Sequence, residues 1–84
     1  MRPILNAKVL GVRIRAERQA LGRTQSWIAK RVGCWRQTIA DLEAGKNVEL
    51  GILFGTLSAL GKAVDIVDVQ VEVERLDEIF RDEN

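Results

Sequence analysis

The chain's 84 residues suffice for one small domain, and its composition, 46% hydrophobic and 30% charged residues, is that of a folded protein. A domain of this size has a small core and is often stabilised by association with a second subunit. Ten of the thirteen Lys and Arg but only three of the twelve Asp and Glu lie in residues 1–46, which indicates a basic face for a polyanion and an acidic end that avoids it. With no His and only Cys34, the sequence has almost nothing from which to build a metal site, a disulfide or a catalytic arrangement, so neither an enzyme nor a cofactor is expected.

The first predicted element is a helix that begins at Ala7 and ends at about residue 21. Asn6 precedes it and can accept a hydrogen bond from an amide that the first helical turn leaves unpaired. Leu10, Ile14 and Leu21 recur at helical spacing and are predicted to face inward. The arginines of this helix are expected at its solvated face or edges, where they raise the positive field: Arg13, Arg15 and Arg18.

Residues 24–43 are predicted to form a helix, a tight turn and a second helix. Thr24 can cap the first of these helices, and Gly33 with Cys34 would bend the chain between the two. A sharp turn at the end of a helix needs a positive φ, which glycine adopts without the steric cost of a Cβ. With this bend, one shared inner face would be formed by Ile28, Ala29, Val32, Ile39 and Leu42.

The second helix of this pair, residues 35–43, is predicted to carry a polar outer surface. The side chains that would point away from the buried face, and that could read base edges, are Trp35, Arg36, Gln37, Ala40 and Asp41. Arg23 and Gln25 lie at the start of the preceding helix, whose partially positive N-terminus could meet a phosphate. The alternative for Gln25 is a solvated first-turn side chain, and for each cation a solvated face.

A fourth helix is predicted from about Glu49 to Leu60, where large apolar side chains repeat at spacings of three and four residues: Leu50, Leu53, Phe54, Leu57 and Leu60. The period then changes to that of a β-strand between residues 64 and 73, rich in β-branched side chains. Its apolar residues, the predicted dimer interface, are Val64, Ile66, Val67, Val69, Val71 and Val73.

A lone strand in a helical domain would leave its amides and carbonyls unpaired. Pairing with the same strand of a second subunit about a two-fold axis would satisfy them, with the apolar side over the fourth helices near Phe54 and Leu57. The alternative is an intrachain pair between residues 64–66 and 67–73, but no glycine-containing turn separates these segments. The sequence therefore divides into a helical domain at residues 1–61, a dimerising strand at 62–75 and an acidic tail at 76–84.

The tail places Leu76, Ile79 and Phe80 among acidic residues. It is predicted either to form a short helix that orders on a protein partner or to stay a solvated, unformed end. No long apolar run or signal-peptide pattern occurs along the chain, so the cytoplasm is the expected compartment and a membrane partner is not expected.

Five short motifs carry a family resemblance: LGVRIRAERQALG from Leu10, TQ at Thr24, AKRVG from Ala29, RQTI from Arg36 and LEAGK from Leu42. Together, over residues 10–66, they resemble the Xre/Cro-type helix-turn-helix family, which implies a mainly α, four-helix, lambda-repressor-like domain. The stretch VELGILFGTLSALG, followed by a strand, is similar to the HipB-type antitoxins, which repress their own operon and bind a HipA-type kinase toxin. That resemblance implies a C-terminal β-strand pairing across a homodimer.

The resembled family lays the first residues of its recognition helix on base edges in the major groove. At the matching positions here, this implies that Arg36 binds guanine, Gln37 binds adenine and Asp41 accepts from a cytosine amine. For Asp41 the alternative is a carboxylate that faces solvent or Arg36. Contacts with the DNA backbone are expected from Arg23, Gln25, Trp35, Thr38 and Lys46.

Two tryptophans depart from the family's pattern. Trp35 stands where Ser or Thr is common, so the recognition helix would begin without the usual hydroxyl cap, and the indole could lie on the sugar-phosphate backbone or a thymine methyl. Trp27 stands where Glu or another polar residue is common. It is either a candidate contact for a protein partner or partly buried against the first helix.

These observations predict a dimeric, sequence-specific repressor that binds palindromic double-stranded DNA and has a HipA-like toxin as its protein partner. Two alternatives stay open. One is a stand-alone or phage-type repressor without a toxin partner, and the other is a protein-interaction module whose helix-turn-helix does not bind DNA.

Overall fold

Four helices make up the architecture in a computed structural model that describes residues 2–69. They are α1 (Ala7–Ala20), α2 (Gln25–Val32), α3 (Arg36–Glu43) and α4 (Leu50–Ala59). The mainly helical fold class and all four predicted helices are confirmed, each within a residue or two of its expected ends.

Side chains at the first turns of α1 and α2 explain where these helices begin. The amide of Val9 donates to Asn6 Oδ1 over 2.9 Å, and the amide of Trp27 donates to Thr24 Oγ1 over 3.0 Å. Both predicted caps are therefore confirmed. By contrast, α3 begins after Trp35 with no side-chain hydrogen bond to its first turn, as the missing hydroxyl predicts.

Gly33 makes the turn between α2 and α3. Its backbone is left-handed, with φ 84° and ψ 41°, a region that an L side chain enters only at a steric cost. The amides of Gly33 and Cys34 both donate to the carbonyl of Ala29, over 2.8 and 3.0 Å. The helix thus ends in a compact turn, and only residues 33–35 separate α2 from α3.

The core lies where the four helices meet. Ile14, Ile28 and Ile39, one from each of the first three helices, are almost completely buried. Within residues 2–69, the buried hydrophobic residues are Ile14, Ile28, Ala29, Ile39, Leu42, Leu57 and Leu60. The prediction that Leu21 faces inward is wrong. Leu21 is 54% exposed because it follows the last turn of α1, where the chain leaves the helix.

Gly11 brings the backbone of α1 directly against the end of α3. A Cβ at position 11 would lie 2.5 Å from the carbonyl oxygen of Glu43 and 2.6 Å from that of Leu42. No side chain fits in that space, so the approach of the two helices depends on glycine. It also places Glu43 next to the arginine side of α1.

The segment after α4 carries no strand within residues 62–69 of this single chain. Its apolar side chains are uncovered, with Ile66 97% exposed and Val67 51% exposed. The strand expected from Val64 to Val73 and its pairing across a dimer therefore stay predictions. The other residues predicted to act at this end of the chain lie outside the described residues: Val71, Val73, Leu76, Ile79 and Phe80.

Candidate nucleic-acid interface

The beginning of α3 presents the side chains predicted to read bases. Arg36 and Gln37 are its first two residues and both are exposed, while Trp35, just before them, is 83% exposed. Thr38 and Asp41 are half-buried at the edges of this surface. The N-terminal end of α3, which is predicted to enter the DNA major groove, therefore exposes polar side chains to solvent and carries a positive charge at Arg36.

Gln25 joins this surface to the interior. Its Nε2 donates to Glu43 Oε1 over 3.1 Å, and its Oε1 accepts from Arg36 Nη1 over 2.9 Å. The alternative of a solvated first-turn glutamine is therefore wrong. The amide bridges the first turn of α2 to the first and last residues of α3, and a contact with a phosphate stays a prediction.

Glu43 and Arg18 form an ion pair that the sequence patterns did not identify. Arg18 Nε donates to Glu43 Oε2 over 2.6 Å and Arg18 Nη2 donates to Oε1 over 3.0 Å. The two side chains are only 11% and 4% exposed. Arg18 also donates from Nη1 to the carbonyl of Arg23 over 2.8 Å, which ties α1 to the loop before α2.

The placement of Arg18 corrects the expectation of a solvated arginine. The spacing of Arg18 and Glu43 from buried isoleucines indicates their inward position. Arg18 follows Ile14 by four residues and Glu43 follows Ile39 by four, so both charges sit on the inner faces of their helices. Two opposite charges on facing inner sides predict a buried pair, because an unpaired charge there would be costly.

The electrostatics of the pair follow from its burial and its hydrogen bonds. Burial raises the pKa of the Glu43 carboxyl, but hydrogen bonds from Arg18 and Gln25 and the charges of Arg18 and Arg15 outweigh it and hold that pKa below its ordinary value. The hydrogen bond to Glu43 raises the pKa of Arg18. Both groups are therefore charged at neutral pH.

Asp41 engages two other predicted contact residues. Gln37 Nε2 donates to Asp41 Oδ1 over 3.0 Å, and Lys46 Nζ lies 3.8 Å from the same oxygen. In the free chain the carboxylate thus faces Gln37 and Lys46 rather than Arg36. The lysine side chain is 69% exposed, so it can leave this pair for a phosphate at little cost.

Two arginine side chains lie over the indole ring of Trp27 in α2. The guanidinium carbon of Arg23 lies 4.3 Å from the centre of the indole ring, and that of Arg31 lies 4.8 Å from it. The indole is half-buried and packs against the core. Partial burial is therefore confirmed, while its packing against α1 and a role in contacting a protein partner stay predictions.

A second surface of interest is an apolar groove between α1 and α4, which we call the α1–α4 groove. A cavity of about 330 Å³ there is lined by Ile4, Leu10, Ile14, Leu57 and Leu60 together with the charged and small residues Arg13, Glu17, Lys62 and Ala63. It continues along Val64 and Val67. Four of the predicted dimer residues lie exposed beside or beyond it: Val64, Ile66, Val67 and Val69.

The described residues provide neither a metal site nor a membrane-spanning helix. Within residues 2–69, no cluster of three or more His, Cys, Asp or Glu side chains could hold a metal ion. Among the helices described, none combines the length and the apolar character needed to cross a membrane.

Solved structures share this fold over most of the chain. A structure described as "MDT Protein" is 28% identical with a TM-score of 0.77, and the match covers 83% of this chain and 100% of that one. The "Structure of HipA-HipB-O2-O3 complex" matches with 28% identity, a TM-score of 0.77 and the same coverage of 83% and 100%. The "HipB-O4 20mer complex" also matches at 28% identity and a TM-score of 0.77, again over 83% of this chain and 100% of that one.

The comparison of sequences leads to the family. No curated protein sequence matches the chain. The family model described as "Helix-turn-helix domain" matches residues 9–76, which is well over half of the chain and includes α2, the turn at Gly33, α3 and α4. The chain therefore belongs to the helix-turn-helix domain family.

Proposed function

We propose that the protein is a dimeric, sequence-specific DNA-binding repressor that controls its own operon as the antitoxin of a HipA-like kinase toxin. The observation that carries the proposal is the open, polar N-terminal end of α3, with Arg36 and Gln37 exposed in a helix-turn-helix domain. Its likeness to HipB in the solved complexes supports the antitoxin role.

The chemistry of the exposed end suits the major groove. Arg36 gives one Nη1 proton to Gln25 and keeps donors for a bidentate pair with guanine O6 and N7. Gln37 keeps its Oε1 and one amide proton, the pair that adenine N6 and N7 require. Asp41 either accepts from a cytosine amine or stays with Gln37. The backbone contacts are assigned to Arg23, Gln25, Trp35, Thr38 and Lys46.

A dimer is required because one short recognition helix covers only a few base pairs. Phe54 is 48% exposed and Val67 is 51% exposed, so both have surface left to bury against a second chain. We assign the contact to paired strands at residues 64–73, which would lie over the two α4 helices. Two recognition helices held about one DNA turn apart could then read a palindrome.

The DNA-binding role is tested by selection from a library of random double-stranded DNA. We expect a palindromic consensus and an affinity that falls steeply with salt, since bound phosphates release counterions. Arg36→Ala should cost about 1–3 kcal/mol and relax preference at one base pair, whereas Lys46→Ala should weaken all sequences alike. Salt-independent binding without a consensus would favour the alternative of a protein-interaction module.

The dimer is tested by sedimentation of the full chain and of a chain that ends at Gly61. The shortened chain should be largely monomeric, less stable and a much weaker operator binder. If it still dimerises at micromolar concentration, the strand is not the main bond between subunits, and Trp27 and α4 become the better candidates.

The toxin is tested by affinity purification of the tagged protein from its own host, followed by mass spectrometry. A kinase-sized HipA-like partner is expected, and its absence would favour a stand-alone repressor. Because Leu76, Ile79 and Phe80 give the acidic tail a small apolar edge, deleting residues 76–84 should weaken the toxin complex more than DNA binding. Equal toxin affinity for the deleted chain would reject that role for the tail.

A further inference from the structure

The carboxylate of Glu43 can only accept hydrogen bonds, and three donors are directed at it. Arg18 supplies two, over 2.6 and 3.0 Å, and Gln25 Nε2 supplies the third, over 3.1 Å. The side chain of Glu43 is 4% exposed, so water does not compete for these positions. A charged, buried acceptor therefore dictates which end of the Gln25 amide points toward it.

The other end of the same amide faces Arg36. Since the amino group of Gln25 is turned to Glu43, its Oε1 must point away, and there it accepts from Arg36 Nη1 over 2.9 Å. A guanidinium can only donate. The reversed amide would set an oxygen against the carboxylate and an amino group against the guanidinium, losing both hydrogen bonds. The orientation is thus determined at both ends.

We infer that Glu43, held in place by Arg18, is a positioning residue for base reading that acts through Gln25 on the direction of the Arg36 guanidinium. Arg36 is exposed at the beginning of α3, and an arginine side chain free in water samples many rotamers. The hydrogen bond to the Gln25 side-chain carbonyl restricts Arg36 to the rotamers that place its Nη1 against Gln25 in α2. The remaining N–H donors of Arg36 then face outward before DNA binds, so Arg36 loses less conformational entropy on binding.

The competing explanation is that the Arg18–Glu43 pair only fastens α1 to α3. In that case its loss would change stability, and affinity for all sequences, without changing which base is preferred. A positioning role predicts a change at one base pair alone, the one that Arg36 reads. Base preference therefore separates the two explanations. The inference rests on the proposed function.

The experiment is a selection from random double-stranded DNA with the full chain, comparing wild type, Gln25→Leu and Glu43→Gln. Gln25→Leu keeps the size of a half-buried side chain outside the core and removes both hydrogen bonds. It therefore tests the step from Gln25 to Arg36 even if Glu43→Gln, which tests the step from Glu43 to Gln25, fails to fold. Arg36→Ala identifies the base pair concerned. Glu17→Gln is the control, since it neutralises a surface carboxylate paired with Lys62 at 3.3 Å, away from α3.

We expect Gln25→Leu to reduce preference at the Arg36 base pair by about tenfold, within the range that one good bidentate contact supplies, and to leave other base pairs unchanged. Any phosphate contact of Gln25 would lower all sequences equally and so would not imitate this result. Glu17→Gln should behave as wild type. The inference is overturned if Gln25→Leu keeps the wild-type preference at the base pair that Arg36→Ala loses. A wild-type chain that selects no sequence overturns the proposed function itself, and the relay with it.

Discussion

The surface at the beginning of α3, which we call the recognition side, differs from the α1–α4 groove in whether its exposed side chains have partners within the chain. On the recognition side, Arg36, Gln37 and Asp41 each have a hydrogen-bonding or ionic partner within the chain. At the α1–α4 groove, apolar side chains stay exposed, with Val64 53% exposed and Val67 51% exposed. The polar contact groups thus have partners within the single chain, whereas the apolar surface at the groove has none and is a candidate for association.

This difference teaches which property each surface controls. Groups that are already held in place bind with less loss of conformational freedom, so the recognition side should set affinity and base choice. Uncovered apolar area is a reason to associate, so the groove and residues 64–69 should set assembly. Changes on the recognition side should leave assembly largely intact, because substitutions far apart are usually independent. Loss of assembly should weaken operator binding without changing which bases Arg36 and Gln37 prefer.

The largest expected effect is the loss of one partner of the buried ion pair. Arg18→Met leaves the Glu43 carboxylate buried with only Gln25 to bind it, and removing one partner of such a pair costs about 3–5 kcal/mol. Urea unfolding followed by circular dichroism measures it. The control is Arg13→Met, an exposed arginine of the same helix that should change stability by less than about 0.5 kcal/mol. Similar losses in both variants would mean that the recognition side is not held by this pair.

The same pair predicts how stability depends on pH. Burial raises the pKa of Glu43, but the hydrogen bonds from Arg18 and Gln25 and the nearby arginine charges together outweigh it, so this pKa is lower in the folded chain than its ordinary value. Its contribution is therefore fully present above the unfolded pKa and is lost as pH falls through the folded one. The free energy of unfolding of wild type should decline in acid below about pH 4.3, the ordinary Glu value. The double variant Arg18→Met with Glu43→Leu should decline less, and an equal decline would assign the acid sensitivity to other groups.

Gly11→Ala should have the next largest effect. The added methyl would lie 2.5 Å from a backbone oxygen of α3, so α1 must shift, and overpacking of this kind costs about 1–3 kcal/mol. Gly51→Ala is the matched control, because Gly51 lies in α4 with no atom within 4 Å of the added Cβ. That change should stabilise the chain by up to about 1 kcal/mol through helix propensity. Thermal unfolding of both variants is the measurement. If Gly11→Ala is as stable as wild type, α1 and α3 do not approach closely enough to exclude a side chain at position 11.

Val67→Asp examines the other surface. Val67 is half-exposed in the single chain, so a carboxylate there should change the stability of the monomer little. In a symmetric dimer it would place two like charges in an apolar contact, which should weaken dimerisation at least about tenfold, or about 1.4 kcal/mol. Ser58→Asp, an exposed change on α4, is the control. Dimerisation that is unchanged by Val67→Asp would remove residues 64–69 from the interface.

The smallest expected effect is a gain in stability at the recognition helix. Trp35 has φ −74° and ψ 147°, the extended geometry of an N-cap, but its side chain makes no hydrogen bond with the first turn. Trp35→Ser should supply that hydrogen bond, as Thr24 does for α2, and stabilise the chain by about 0.5–1 kcal/mol. If DNA affinity falls while stability rises, the indole contributes to binding rather than to folding.

The helix ends were predictable because their capping interactions join residues close in sequence. The contacts among Arg18, Glu43, Gln25 and Arg36 were not, because they join residues far apart in sequence. The caps at Asn6 and Thr24 and the turn at Gly33 depend on residues within three or four positions, so the sequence reveals them. Arg18 and Glu43 are 25 residues apart, and their pairing depends on how closely α1 approaches α3. Exposure of Arg36 was predictable from periodicity, but its partner Gln25 was not, because that bond joins two helices.

The two tryptophans have a further, optical consequence. The chain has no Tyr and only Trp27 and Trp35, so its ultraviolet emission comes from two indoles in contrasting surroundings. Trp27 lies beside two arginines and packs against the core, whereas Trp35 is 83% exposed beside the first residues of α3. In Trp35→Ser the emission reports on the surroundings of Trp27 in α2. In Trp27→Leu it reports on whatever approaches the recognition helix, and therefore gives a label-free titration signal without any added dye.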